Sequence, residues 1–104
     1  MASGRLGGND LTAATNTTVY TVPALKTASV TVRFCNRSST VIALIRLAIA
    51  AAASPAAAEY LEYDAVLATN GVLECTGLVI EAARLVVAYS SVANVTCQVY
   101  GWEE

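Results

Sequence analysis

Residues 41–64, VIALIRLAIAAAASPAAAEYLEYD, are the most apolar part of the chain. Three structures compete for them: a membrane span, an amphipathic helix, and a buried strand followed by an alanine-rich connection. A transmembrane helix needs about 20 apolar residues, whereas 41–53 is 13 residues long, is interrupted by Arg46 and ends at Ser54 and Pro55. Length excludes the span. Alanine, the best helix former, supports a helix. Against it, Val41, Ala43, Ile45, Leu47 and Ile49 fall on one side of a strand and Ile42, Leu44, Arg46 and Ala48 on the other. Because the rest of the chain reads as strands, residues 40–50 are expected to form a central strand. Residues 51–58 then connect it to the next, with one helical turn near Pro55.

A strand apolar on both faces packs one face into a core and needs the other covered, by a second layer or by a neighbouring subunit. Arg46 interrupts that second face. It requires a carboxylate, with Glu59, Glu62, Asp64 and Glu74 nearest in sequence, unless it lies at the rim and reaches water along its own stem.

Elsewhere the period is two. TTVYTVP at 17–23 is a short strand stopped by Pro23. In TASVTVRFCNR, Val30, Val32 and Phe34 alternate with Ser29, Thr31 and Arg33, the pattern of a half-buried antiparallel strand. Residues 36–39 read as a polar turn. GVLECTGLVI follows the turn signal Asn70-Gly71, with Gly77 marking a bulge or bend. In RLVVAYS, Leu85, Val87 and Tyr89 share a face; in VTCQVYGW, Val95, Cys97 and Val99 do, and SVAN between them is a loop of hairpin size. The fold class that follows is all-β: a single antiparallel β-sandwich, jelly-roll or Ig-like, of about 7–8 strands over 17–104. Residues 1–16, glycine-rich and with Leu6 and Leu11 their only large apolar side chains after Met1, form a flexible N-terminal arm that orders against a neighbour.

Composition narrows the function. Only 13% of the 104 residues are charged, against about 25% in ordinary domains. The six cations, Arg5, Lys26, Arg33, Arg37, Arg46 and Arg84, are scattered singly. That excludes a nucleic-acid surface, which needs clustered Lys and Arg. A domain this small cannot hide 56% hydrophobic residues, so part of the surface is expected to be covered by copies of itself or by a larger partner. The start, MASGRLGGND, lacks the apolar core of a signal peptide, which points to a cytosolic origin and leaves the sequons at Asn16, Asn36 and Asn94 without meaning. Cys35, Cys75 and Cys97 have no C-x-x-C spacing and no histidine to complete a metal set. They read as small buried hydrophobes, with a Cys35–Cys97 bridge the alternative.

Neither an enzyme nor a cofactor site is expected. Without histidine the usual general base is gone, and a sandwich of this length has little chain left to build a cleft around the carboxylates of EYLEYD. On a regular strand Glu62 and Asp64 would share a face with Tyr60, and Glu59, Leu61 and Tyr63 the other. The candidate contact residues are Tyr60, Tyr63, Tyr100 and Trp102, because exposed Tyr and Trp are enriched where proteins meet each other and also stack on sugars. Arg46 and the arm residues Leu6 and Leu11 join them. Glu103 and Glu104 are expected to keep the last strand's edge solvated.

The succession TTVYTVP, VTVRFCNRSS, the hydrophobic strand, SPAAAEYLEYD, NGVLECTGLVI and SSVANVTCQVYGWEE, over about residues 17–104, resembles a group of small virion proteins of tailed bacteriophages. The resemblance implies a compact β-sandwich made in the host cytoplasm. It would join the virion as a capsid decoration (cement) protein on the major capsid protein, commonly as a homotrimer, or as a small head-fibre or tail-fibre module. A carbohydrate-binding attachment module is the remaining alternative. The chain departs from this pattern at Cys75, where relatives carry a charge, and at VVAYSS, which replaces a more polar run, so the chemistry of a partner face does not carry over.

Overall fold

The computed structural model describes residues 2–104. It contains eight strands: β1 (Ser3–Leu11), β2 (Thr17–Thr21), β3 (Ala28–Asn36), β4 (Ala43–Ala50), β5 (Tyr60–Leu67), β6 (Val72–Ile80), β7 (Leu85–Ser90) and β8 (Val95–Glu103). One 3₁₀ turn, Ala57–Glu59, falls near Pro55 where a helical turn was expected. The stretch 41–64 is therefore strand, alanine-rich connection and strand, and no helix among the described residues is long and apolar enough to cross a membrane.

Two antiparallel sheets, β1-β8-β3-β6 and β2-β7-β4-β5, pack face to face. The pairing is nested: first strand with last, second with seventh, third with sixth, fourth with fifth. The β3–β8 and β4–β7 ladders join these pairs. This is an eight-stranded jelly roll, which decides between the two sandwich types that the sequence leaves open. Only the β4–β5 connection stays within one sheet. SVAN is accordingly not a hairpin loop: it carries the chain from β7 in one sheet to β8 in the other. A short polar loop fixes that two strand ends are close, not which sheet receives the second.

The core is assembled from the expected alternation in β3, β4 and β8, while in β7 the face of Leu85, Val87 and Tyr89 turns outward and the alternate residues turn in. Val30, Val32 and Phe34 of β3, Ile45 and Leu47 of β4, Val86 and Ala88 of β7, and Val95, Cys97 and Val99 of β8 are all buried between the sheets. Each fully buried Val, Leu, Ile or Phe side chain is worth about 1.5–3 kcal/mol. Cys97 points into this core, and burial pushes its thiol up to about 12. Cys35 pairs with Thr96 while Cys97 pairs with Phe34, which puts the two sulfurs on opposite faces of the sheet. The three cysteines are free and the Cys35–Cys97 bridge is ruled out.

The flexible arm is a correction. Residues 3–11 form the edge strand β1, paired with β8 from Ser3 opposite Trp102 to Leu11 opposite Val95. Leu11 is buried and Leu6 packs against the same core. An edge strand attaches largely through its backbone, so it needs few apolar side chains. Its glycine has a specific use: a Cβ on Gly7 would sit 2.2 Å from the Val19 carbonyl oxygen of β2. Gly7 thus lets β1 fold down on β2 and close that side of the sandwich. The terminal glutamates are a second correction, because β8 lies between β1 and β3 and is not an edge. Glu103 accepts a hydrogen bond from the Tyr20 hydroxyl, and the Glu104 backbone pairs with Thr27.

Every ladder that includes an edge strand contains a register shift: at Arg5/Gly7 in β1, Thr18/Tyr20 in β2, opposite Val30/Val32 in β6 and opposite Ile45/Leu47 in β5. The two ladders between central strands contain none. The β6 irregularity falls at Gly77, whose φ is +70°, as the sequence suggested. Bulged, twisted edges are poor templates for adding a further strand.

Candidate functional site

The outer face of the β2-β7-β4-β5 sheet holds Arg46, Tyr60 and Tyr63 together. Ile45 pairs with Ala65 and Leu47 with Glu62, so the single residue Arg46 stands opposite both Tyr63 and Asp64. Asp64 absorbs the extra residue in the left-handed region, at φ 53°. The bulge breaks the regular alternation expected for EYLEYD and turns Asp64 and Tyr63 to the same side. Arg46 Nε donates to Asp64 Oδ1 at 2.7 Å. Its guanidinium carbon lies 4.2 Å from the Tyr63 ring centre and 4.4 Å from that of Tyr89 on β7. Tyr60 meets Tyr63 edge to face at 4.9 Å. The bond to Asp64 raises the Arg46 pKa further, leaving a permanent cation held between two aromatic faces.

Arg46 therefore has its carboxylate and its cover within its own chain. The second face of β4 is covered the same way: Ala48, Ala50 and Val87 are buried beneath Tyr60 and Leu85. Of the covers expected for that face, a second layer or a neighbouring subunit, this part uses neither, since side chains of the same sheet lie over it. Small alanines on β4 leave room for tyrosines from the neighbouring strand to lie over them.

The connection leading into β5 is equally fixed. The Glu59 carboxylate accepts backbone N–H groups of Ala56 at 2.8 Å and Ala51 at 3.0 Å, and the Arg84 guanidinium at 3.2 Å. The two backbone bonds and the nearby cation hold its carboxyl below the ordinary range.

Tyr100 and Trp102 lie elsewhere, on the outer face of the β1-β8-β3-β6 sheet. The Tyr100 hydroxyl donates to Glu74 Oε2 at 3.1 Å, and Arg33 Nη1 donates to the same oxygen at 2.8 Å. The structure thus divides the seven candidates into three groups: Arg46, Tyr60 and Tyr63 on one outer face, Tyr100 and Trp102 on the other, and Leu6 and Leu11 against the core. Sequence reasoning missed Tyr89, Arg33 and Glu74 as members of these clusters. Each is brought in by cross-strand register, which no local pattern reveals.

Exposed apolar side chains follow the edges. β1 and β2 close one side of the sandwich, whereas β5 and β6 barely touch on the other. Leu61, Tyr63 and Val66 on β5 and Val72 and Val79 on β6 are all largely exposed, Val66 at 69% and Val79 at 73%. No family model, curated protein or solved structure matches the chain.

Proposed function

We propose that this chain is a structural virion protein, a decoration (cement) subunit assembled in the host cytoplasm that binds the outside of a tailed-phage head as a homotrimer and stabilises the shell. The observation that carries this reading is that both edge strands flanking the open side expose apolar side chains, Leu61, Tyr63 and Val66 on β5, and Val72 and Val79 on the outer face of β6. Exposed apolar surface of this kind marks protein contacts, and the adjoining Arg46, Tyr60 and Tyr63 are of the residue types enriched at their energetic centres. The bulged edges disfavour partners that add a strand, so copies and the major capsid protein would meet side-chain faces. Jelly rolls recur in viral capsid proteins, a likeness of architecture alone. With Leu6 and Leu11 committed to the core, attachment rests on the β5–β6 side and not on an arm.

Electron cryomicroscopy of particles from the phage encoding this chain tests the reading. The expected result is density for it in threes on the head exterior. Density confined to the tail would favour the fibre-module alternative and overturn the head assignment; absence of the chain from washed particles would overturn both.

A further inference from the structure

The outer face of the β1-β8-β3-β6 sheet is graded from apolar to polar. Cross-strand register sets Trp102, Ser29 and Val79 in one row and Gln98, Arg33 and Glu74 in another, with Tyr100 between them. Two depressions of about 190 and 380 Å³ meet at Tyr100: the first is bounded by Arg33 and Gln98, the second by Trp102. The larger lies within the range of about 300–1,000 Å³ usual for ligand pockets. Its floor includes bare backbone at Gly77 and Gly101. A Cβ on Gly101, whose φ is +150°, would come within 2.1 Å of the Ser29 carbonyl oxygen. That glycine is needed for β8 to approach β3, and it leaves space between the two aromatic residues.

We propose that this groove binds a neutral pyranose unit of a glycan. Trp102, 48% exposed, offers a ring face for the C–H side of a sugar, and Tyr100 forms the wall between the two depressions. Glu74 lines neither depression but holds two residues that do, its Oε2 accepting from Arg33 and Tyr100; its Oε1 has no partner among the described residues and can accept a hydroxyl from a sugar that reaches past Arg33. The remaining guanidinium N–H groups of Arg33 and the amide of Gln98 supply donors beside it. Vicinal hydroxyls, each both donor and acceptor, match this mixed set. The charge balance selects against anions: among the described residues Arg33 is the only cation lining the groove and is neutralised by Glu74 at 2.8 Å, so a phosphate or carboxylate ligand would have to displace it. All the side chains stand on paired strands, which fixes their geometry before binding. The site lies on the opposite outer face from Arg46 and Tyr63, with Val79 of β6 in the same row as Trp102.

Trp102 is the sole tryptophan, and its fluorescence reports on the groove directly. The intact protein is titrated with the methyl glycosides of glucose, galactose, mannose and N-acetylglucosamine and applied to an array of immobilised neutral and acidic glycans. The proposal expects a saturable fluorescence change with at least one neutral sugar. By calorimetry, Trp102→Ala, Tyr100→Ala and Glu74→Gln should each weaken binding about tenfold or more, while Ile42→Ala, at an exposed position before β4, leaves it unchanged. Circular dichroism confirms folding of each variant, and Trp102→Phe, which keeps a ring, should fall between wild type and alanine. Silence toward every glycan, a preference for acidic glycans, or full binding by the folded Glu74→Gln and Trp102→Phe variants overturns the proposal. Binding by the free protein is independent of particles, so failure here leaves the decoration reading standing, and the reverse.

Discussion

Asn36→Ala should be the most damaging polar substitution in the molecule. Asn36 is fully buried at the end of β3. Its amide nitrogen donates to the carbonyls of Val41 at 2.9 Å, Ala68 at 3.2 Å and Leu67 at 3.3 Å, and its oxygen accepts the Ser38 N–H at 3.0 Å. One side chain thus ties the loop before β4 to the end of β5. Removing it leaves the buried Leu67 carbonyl without that donor, a loss of about 1–3 kcal/mol, and breaks further bonds worth about 0.5–1.5 kcal/mol each. With three further bonds the total is about 2.5–7.5 kcal/mol, against about 5–15 kcal/mol for a whole domain. At about 4–8 °C per kcal/mol for a chain of this size, the melting temperature should fall by at least about 10 °C. Urea and thermal unfolding followed by circular dichroism measure it. Asn36→Asp, which sets a carboxylate against three carbonyl oxygens, should be worse at pH 7. The folded state then raises the pKa of that carboxyl above its unfolded value, so the variant should regain stability as pH falls through that raised pKa. A loss below about 1 kcal/mol for Asn36→Ala, or an Asn36→Asp variant as stable as wild type at pH 7, would refute the reasoning.

Gly7→Ala should lower the urea midpoint by the equivalent of about 1–3 kcal/mol, since its Cβ meets fixed backbone at Val19. Gly8→Ala, whose Cβ meets only the mobile end of Arg5, should cost far less; equal effects would contradict the role given to β1. Asp64→Gly should change stability by less than about 1 kcal/mol, because relief of the left-handed φ offsets loss of a part-exposed ion pair. An Arg46/Tyr89 double-mutant cycle should return about 0.5–2 kcal/mol of coupling; additivity would remove the cation–ring contact from the account. Cys97 should resist thiol reagents at pH 8 in the native protein and react only on unfolding, its thiol being raised to about 12 by burial. Native labelling of Cys97 would contradict its place in the core.

The strands of the core were legible because each inner face repeats with period two: β3, β4 and β8 can be read from Val30, Ile45 and Val95 onward, whereas both faces of β7 are apolar and the pattern does not tell the inner Val86 and Ala88 from the outer Leu85 and Val87. Strand β1 was not, since an edge strand held by its backbone carries no such repeat and its glycines resemble a loop. The clusters were half legible. Asp64 stood among four carboxylates offered to Arg46, and only the bulge at Tyr63–Asp64 selects it. Tyr89 reaches Arg46, and Glu74 reaches Arg33, by register between strands far apart in sequence. Asn36 reads as an ordinary turn residue because burial of a polar side chain depends on what later strands place around it. The apolarity of 41–50 was legible, but its cover comes from Tyr60 and Leu85 of the same chain.

The most direct measurement of the decoration reading is binding to shells. Purified protein is added to heads from phage lacking this chain, and occupancy is measured for wild type and for the Val66→Asp/Val79→Asp double variant. Both residues are exposed, so the variant should remain folded by circular dichroism and leave core stability unchanged. The account predicts saturating wild-type occupancy in multiples of three and loss of at least about tenfold in affinity for the folded double variant. Wild-type protein that does not bind heads, or a double variant that binds them as well as wild type, would contradict it.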